Sequence, residues 1–514
     1  MGTDTDAFDL DLELPPIYLA TVIVHGTRDS NAPALVEEAV TIPSPVHDTG
    51  EFEFAIRRHE LAFQHKSSED NSKLAYYQVS VLDMLGPDSF KSFISPFFSP
   101  RTLHVVCFDA AEYKRLLDAK DQLELDTFVN DNVSRWLRLI FPVFPSAKVI
   151  FVATNDQNVD VDAVKSDLSA RLVNMVEGVV AAVKFRDGKT FDDGAVRRAV
   201  RPTLESPVVM AGSSFKGELP QAIVNCGVGI EMDERIPIAL KVIHWRRDES
   251  EQLTNTARVE ALVVSKTQIG QFLRFQLKGG SDETITHDDI SRVLRKLHDI
   301  GETLSLETWF ENDPNRFDFT ILSQQLVTEI LQQLAVCGPE DDAQDDRGRG
   351  FVKHGLLMGK PVWQDAQPKV VFGLKRLMEK LSLVSPLTVK MRDDSDLIVP
   401  AFWTAKFKKD TATKSAPLNY NSPKRDGDIE LKVPFLAEDI LKSVALKCSA
   451  NQRRGKYMTV KGLSPMCYEL GDLVRLSIVA SGCAIRVETI EGKETDLEPI
   501  RKLIKKFNVD TKEE

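Results

Sequence analysis

Short apolar runs of strand length, alternating with apolar stripes at helical spacing, do most to limit the folds open to this chain. Leu19 to Val24, Glu53 to Phe63, Leu74 to Leu82, Leu103 to Phe108, Val149 to Ala153 and Pro207 to Ala211 read as strands. Ala34, Leu35, Val36 and Val40 follow the first run at near-helical spacing. Val129, Val133, Trp136, Leu137 and Ile140 share one face of a helix predicted from Leu123 to Phe141 and stopped by Pro142. Val164, Leu168, Leu172, Met175 and Val179 form a further stripe. Strands rich in β-branched residues suit burial on both faces. The rhythm predicts an α/β domain with a mainly parallel sheet and helices on both faces, and the second and third strands are placed to form a hairpin.

At 514 residues the chain exceeds one core, and usual domain sizes give about three or four. A net charge of −12 argues against a broad nucleic-acid footprint, which needs a basic face. The six cysteines are scattered without a CxxC pair, which predicts reduced thiols and a cytoplasmic protein. No apolar window is long enough to span a membrane, and the acidic N-terminus is unlike a signal peptide. Met1-Gly2 begins like a myristoylation signal, but Asp6 stands where Ser or Thr is required. GxSxG and HExxH are missing, and the nine histidines are dispersed, each expected as a surface or core residue.

The stretch Ile17 to Val40 has the strand, turn and helix outline of a phosphate loop. A loop of the form GxxxxGK followed by Ser or Thr, opening at Gly26, would place its second Gly, Lys and hydroxyl at Asn31, Ala32 and Pro33. Asn31 tolerates a left-handed backbone, whereas Ala32 carries no charge and Pro33 has neither a hydroxyl nor an N–H. Asp83-Met84-Leu85-Gly86 follows the third strand as a DxxG, where Asp83 would reach Mg²⁺ through water and Gly86 would meet a γ-phosphate. Thr154-Asn155-Asp156-Gln157 and a turn containing Ser213 and Ser214 follow the next two strands.

These turns stand in the order of the nucleotide-contacting turns of small GTPases. The block from Ser80 to Asp109, SVLDMLGPDSFKSFISPFFSPRTLHVVCFD, resembles the switch region of Roc domains, the Ras-like part of Roco proteins, which usually read WDFGGQ. Asp233 to Val242 looks like the start of the COR domain that adjoins Roc. RVLRKLHDIGETLSLE, from Arg292, is similar to the signature LHxLGxxxxFE, and Phe319 to Leu334 to ILxPQWLxxxI, with one residue fewer and no Trp. GLKRLMEKLSLVSPL and LIVPAFW resemble LMxKFELCxPL and LIPALL. Thr286-His287-Asp288-Asp289 offers a capping box ahead of Ile290, Val293, Leu294, Leu297 and Ile300.

The resemblance implies an acidic tail at 1–16, a Ras-like Roc domain at 17–228, a mostly helical first COR subdomain at 229–403, a flexible basic linker at 404–428, and a mixed second COR subdomain at 429–510 that forms a homodimer. It implies a vestigial nucleotide site at Gly26, Asn31, Ala32, Pro33, Asp83, Gly86, Thr154, Asn155, Asp156, Gln157, Ser213 and Ser214. Roc domains have Thr-His-x-Asp in the base-reading turn, so the guanine-reading Asp falls on Gln157 unless the turn slips to Asp156. The expected function is that of a pseudo-GTPase scaffold in signalling, with no catalytic residue, metal or cofactor, and with protein partners. The alternative is an active GTPase with atypical loops, which would bind GTP or GDP with Mg²⁺ at Asp83. The second COR part is expected to hold a strand and helix over Val433 to Val444, a strand from Met458 to Leu463, a hairpin of Leu473 to Val479 with Ala484 to Glu488, and a terminal helix from Leu497 to Phe507. Roco proteins commonly add leucine-rich repeats before Roc and a kinase after COR, and neither pattern occurs in the sequence.

Other features take plain readings. The acidic run from Pro339 to Gly350 is a solvated loop lacking EF-hand spacing. The linker holds Ser422-Pro423 as a phosphorylation candidate. Trp136, Trp363 and Trp403 are expected in the core, and Arg453 and Arg454 in a turn.

Overall fold

The computed structural model describes residues 15–27, 30–42, 55–66, 74–85, 88–187, 192–233, 235–253, 255–277, 286–310, 317–337, 351–364, 366–381, 383–386, 390–402, 429–432, 460–464, 467–470, 474–478, 484–489, 498 and 500. Seven strands form the first sheet: β1 (Ile17–Gly26), β2 (Ala55–Lys66), β3 (Leu74–Leu85), β4 (Thr102–Asp109), β5 (Lys148–Thr154), β6 (Val209–Ala211) and β7 (Ile230–Glu231). Their order is β2-β3-β1-β4-β5-β6, with β7 antiparallel to the start of β1. β1 lies parallel to β3 and β4, and the β4–β5 and β5–β6 pairs are also parallel. β2 forms the expected hairpin ladder with β3, from Ala55 opposite Leu85 to Lys66 opposite Leu74.

Both faces of the sheet are covered, as the apolar runs require. Alternate residues of β1 serve different layers. Ala20, Val22 and Val24 pack with Leu35 and Val36 of α1 (Ala32–Ala39) and with Ile223 of the helix Phe215–Cys226. Leu19 and Ile23 belong to the other layer, with Tyr113, Trp136 and Leu168. A mostly parallel seven-stranded sheet between helices, in this order, is consistent with a GTPase-like fold.

The helix predicted from Leu123 to Phe141 is instead three pieces: an α-helix Gln122–Val129, a π-helical turn Asn130–Ser134 and an α-helix Arg135–Ile140. The extra residue of a π turn widens the backbone locally, and Asn132 in that turn reaches across to the end of β1. The stripe from Val164 to Val179 also breaks, at a 3₁₀ turn Val173–Met175.

Beyond the sheet, the chain is mainly helical, with helices Arg235–Glu251, Lys266–Leu277, His287–Asp299, Gln324–Ala335 and Pro368–Lys380. Thr286 caps the third of these with the reciprocal Asp289 contacts of a capping box. Leu304–Ser305, Phe319–Ile321 and Val263–Ser265 form one small antiparallel sheet, and Phe351–Val352, Leu397–Ile398 and Ser385–Pro386 another. This region shares one apolar core with the first sheet. Phe144 packs on Trp309 with ring centroids 5.6 Å apart, and Phe90 on Phe402 at 6.0 Å.

Ile429–Lys432, Ala484–Thr489, Val474–Ile478, Cys467–Leu470 and Val460–Ser464 pair in that order as a separate antiparallel sheet, which includes the predicted hairpin. The linker 404–428, the acidic run 339–350, Trp403, Ser422, Arg453, Arg454 and the strand and helix read over Val433 to Val444 lie outside the described residues, as does nearly all of the terminal helix from Leu497. Trp136 and Trp363 are buried. Cys107 and Cys337 are buried and Cys226 half-buried, and none of the three is in a disulfide.

Candidate functional site

In open α/β sheets, ligand crevices form outside the carboxyl ends of the strands, where neighbouring strands connect in opposite directions. β1 holds that place, between β3 and β4. The register aligns the relevant turns at one edge: Val24 lies beside Asp83, Gly26 beside Cys107, Asp109 beside Thr154, and Ala153 beside Ala211. The predicted site residues among those described therefore fall along one rim, contributed by β1, β3, β5 and β6. Gly86 lies outside the described residues, as do Arg28 and Asp29 of the first turn.

The first turn is closed by its own side chains. Ser30 is buried, and its hydroxyl donates to the Thr27 carbonyl at 2.7 Å. A Cβ on Gly26 would stand 2.2 Å from Ser30 Oγ and 2.8 Å from the Ala32 Cβ, so only glycine fits above the folded-in serine. Thr27 Oγ1 donates to Asn132 Oδ1 at 2.8 Å, tying the turn to the π-helical segment. Asn31 takes the left-handed conformation, φ 51° and ψ 22°, and makes no side-chain cap to α1. Ala32 is buried against the sheet, and Pro33 occupies the first turn of α1. At Ala32 and Pro33 the described part of the turn offers neither the ammonium nor the hydroxyl that a phosphate loop places there.

Asp83 is buried near the end of β3 and is held by two side chains, Arg57 and His59. Arg57, directly opposite it on β2, donates through Nε to Oδ1 at 3.0 Å and through Nη2 to Oδ2 at 2.5 Å. His59 Nε2 lies 3.1 Å from Oδ1. The remaining Arg57 nitrogen, Nη1, bonds Glu37 of α1 at 2.8 Å. Burial would raise the Asp83 pKa, but the His59 and Arg57 hydrogen bonds and charges outweigh it and hold the carboxyl below its usual range. Burial also works against the guanidinium, and Asp83 and then Glu37 more than offset it.

The stretch after this carboxylate, Asp88–Phe97, winds as 3₁₀ turns that bury Phe90, Phe93, Ile94 and Phe97. In a nucleotide switch this stretch must be free to move; here it is packed into the shared core.

In the turn after β5, Thr154 Oγ1 donates to the Phe108 carbonyl at 3.0 Å, and Asn155, with φ 52°, donates to Asp109 Oδ2 at 2.8 Å. Asp156 Oδ2 accepts the Ser213 hydroxyl at 2.6 Å and its amide at 3.4 Å, while Gln157 is exposed. Ser214 Oγ turns back to the Ala211 carbonyl at 3.1 Å. The two turns nearly touch: a Cβ on Gly212 would lie 3.0 Å from the Ala153 carbonyl oxygen. The carboxylate facing the serine turn is therefore that of Asp156 and not the residue at position 157.

No protein-family model matches the sequence, and none of the curated proteins matches it. Among solved structures, the chain is similar to the cytosolic domain of the FeoB iron transporter of T. maritima in its GDP form I, at 14% identity and a TM-score of 0.22, over 56% of this chain and 95% of that one. The apo form of the same domain gives 13% identity and a TM-score of 0.21, over 55% and 95%. The strand order, and not this likeness, carries the fold argument.

Two features were not legible as parts of the site. The arginine that neutralises Asp83 lies in a strand with no nucleotide motif, and only the β2–β3 register reveals it. The histidines, dispersed in sequence, include a buried pair, His25 Nε2 and His104 Nδ1, 3.0 Å apart beside Phe98 and Trp136. Burial, and then the neighbouring His25, hold the His104 pKa well below its ordinary value. Among the described residues no group of three or more His, Cys, Asp or Glu side chains is arranged to hold a metal, and no helix is long and apolar enough to cross a membrane.

Proposed function

We propose that the chain is a pseudo-GTPase scaffold of Roc–COR type, which keeps a GTPase-like frame and works through protein partners and homodimerisation. The observation that carries this reading is the first turn: Ser30 fills the space under Gly26, and Ala32 and Pro33 stand where a phosphate loop needs its Lys and its metal-binding hydroxyl. These residues do not fit GTP with Mg²⁺. Losing the desolvated ammonium alone removes a contact worth about 2 to 5 kcal/mol at a buried site, and every 1.4 kcal/mol is about tenfold in affinity. The COR part of the reading rests on the four signature strings, whose apolar positions lie in the packed helices His287–Asp299, Gln324–Ala335 and Pro368–Lys380 and in the strand Leu397–Ile398.

An active GTPase is the second reading, favoured by the Asp156–Ser213 contact, which preserves a carboxylate in the base-reading turn. Phosphate release from GTP and Mg²⁺ separates the two. The scaffold reading expects no turnover above the buffer rate, and steady release abolished by Asp83→Asn would favour the GTPase. Light scattering on the full chain and on a version ending at Ala401 tests the dimer: a dimer that becomes monomeric on truncation agrees, and equal states for both would remove the second COR part from that role.

A further inference from the structure

We propose that Arg57 is the built-in cation of this site, holding the switch carboxylate Asp83 and the helix α1 in one arrangement that needs no divalent metal. It deepens the scaffold reading, and rests on it for the descent of Asp83 from a metal-facing residue.

The geometry is that of a guanidinium fork on a carboxylate, with both Asp83 oxygens engaged. Such bidentate pairs fix orientation as well as charge. The third nitrogen carries the link to Glu37, so a single side chain on β2 ties together β3, its hairpin partner, and α1, the helix after the Gly26 turn. His59, two residues along β2 on the same face, closes the remaining side of the carboxylate. Arg57 and Asp83 are 6% and 4% exposed as side chains, so the fork sits largely out of solvent.

The same strand carries the arrangement onward. Side chains alternate across a strand, so Arg58 points to the opposite face, where it bonds Ser80 Oγ and Glu302. Glu302 is also paired with Arg247 of the helix Arg235–Glu251. In a working switch, nucleotide would set the position of the carboxylate. Here a covalently attached cation sets it, and the adjacent residue clamps the same strand to the helical region.

Thermal melting of the full chain without nucleotide tests the proposal. Wild type is expected to show the same midpoint with and without 10 mM MgCl₂ at matched ionic strength. Arg57→Ala is expected to melt several degrees lower, on the order of 5 °C, and ethylguanidinium, which can refill the fork, should restore part of the loss where ethylammonium at equal concentration does not. Arg57→Met/Asp83→Asn, which removes both charges, should fold and melt above Arg57→Ala. A wild-type midpoint raised by MgCl₂ alone, an Arg57→Ala variant as stable as wild type, or equal rescue by the two cations would overturn it. Should Arg57→Ala fail to fold, a folded double variant supports the lock and an unfolded one contradicts it. Because nucleotide is absent throughout, a wild-type chain later found to bind GTP would refute the scaffold reading without altering these outcomes.

Discussion

Glu302→Gln is expected to destabilise the chain by about 3 to 5 kcal/mol at neutral pH, the usual cost of removing one partner from a buried ion pair. Glu302 lies directly after the turn that ends helix His287–Asp299 and is 7% exposed. Its two carboxylate oxygens face different arginines: Oε1 faces Arg58 of β2, and Oε2 faces Arg247 at 3.0 Å. Arg247 also donates to the Glu302 carbonyl and, at 2.6 Å, to the Leu322 carbonyl. Burial depresses the Arg247 pKa despite Glu302, so this guanidinium is poorly solvated and depends on its partner. An amide at 302 keeps the shape, removes the charge and leaves two arginines facing one another. Chemical denaturation of wild type and variant measures the loss, and a change below about 1 kcal/mol would show the triad to be solvent-screened.

The second large effect is acid lability, concentrated below pH 4.5. Burial would raise the Glu302 pKa, but Arg58 and Arg247 bring it from 4.5 down to about 2. A carboxylate with a depressed folded pKa contributes stability that is present above 4.5 and lost as pH falls towards 2, here about 3 kcal/mol. Asp83, also depressed, adds in the same direction. His298, buried as the neutral ring and lowered from 6.5 to about 4, costs stability as pH falls from 6.5 to 4. Asp299 works oppositely: burial raises its pKa from 3.8 to about 6, so stability rises as pH falls from 6 to 3.8. Between pH 6 and 4.5 the His298 and Asp299 terms largely cancel. The Asp299 gain ends near pH 3.8, below which the Glu302 and Asp83 losses are unopposed. Denaturation at stepped pH should therefore show a shallow region and then a steep fall, and Glu302→Gln should flatten the fall. An unchanged slope in the variant would assign the acid loss to other groups.

The parts legible in the sequence are those set by local pattern. β-branched runs place β1, β4 and β5 because a strand buried on both faces leaves few other residue types, and the hairpin of β2 and β3 follows from two adjacent runs. The capping box at Thr286 is a four-residue feature and is found where it was expected. Other features depend on register or on distant contacts. Arg57 meets Asp83 only because the ladder sets them opposite, and nothing in Ala55–Lys66 announces that pairing. The helix Asp193–Glu205 shows the core only Val196, Val200 and Leu204 and contains Pro202, so its stripe is faint. The π turn at Asn130–Ser134 holds Asn132 against Thr27, a distant contact that no periodicity encodes. In the base-reading turn, motif alignment points to Gln157, while the positive φ of Asn155 swings the chain so that Asp156 faces Ser213.

Calorimetric titration of GTP and of GDP into the full chain in the presence of MgCl₂, with the variant Asn31→Gly/Ala32→Lys/Pro33→Thr/Gln157→Asp measured beside it, separates a vestigial nucleotide site from a working one. Wild type is expected to give no saturable heat up to millimolar nucleotide, because Ser30 folds in against Gly26 and Asp83 is held by Arg57. Saturable micromolar binding by the wild-type chain would contradict that expectation.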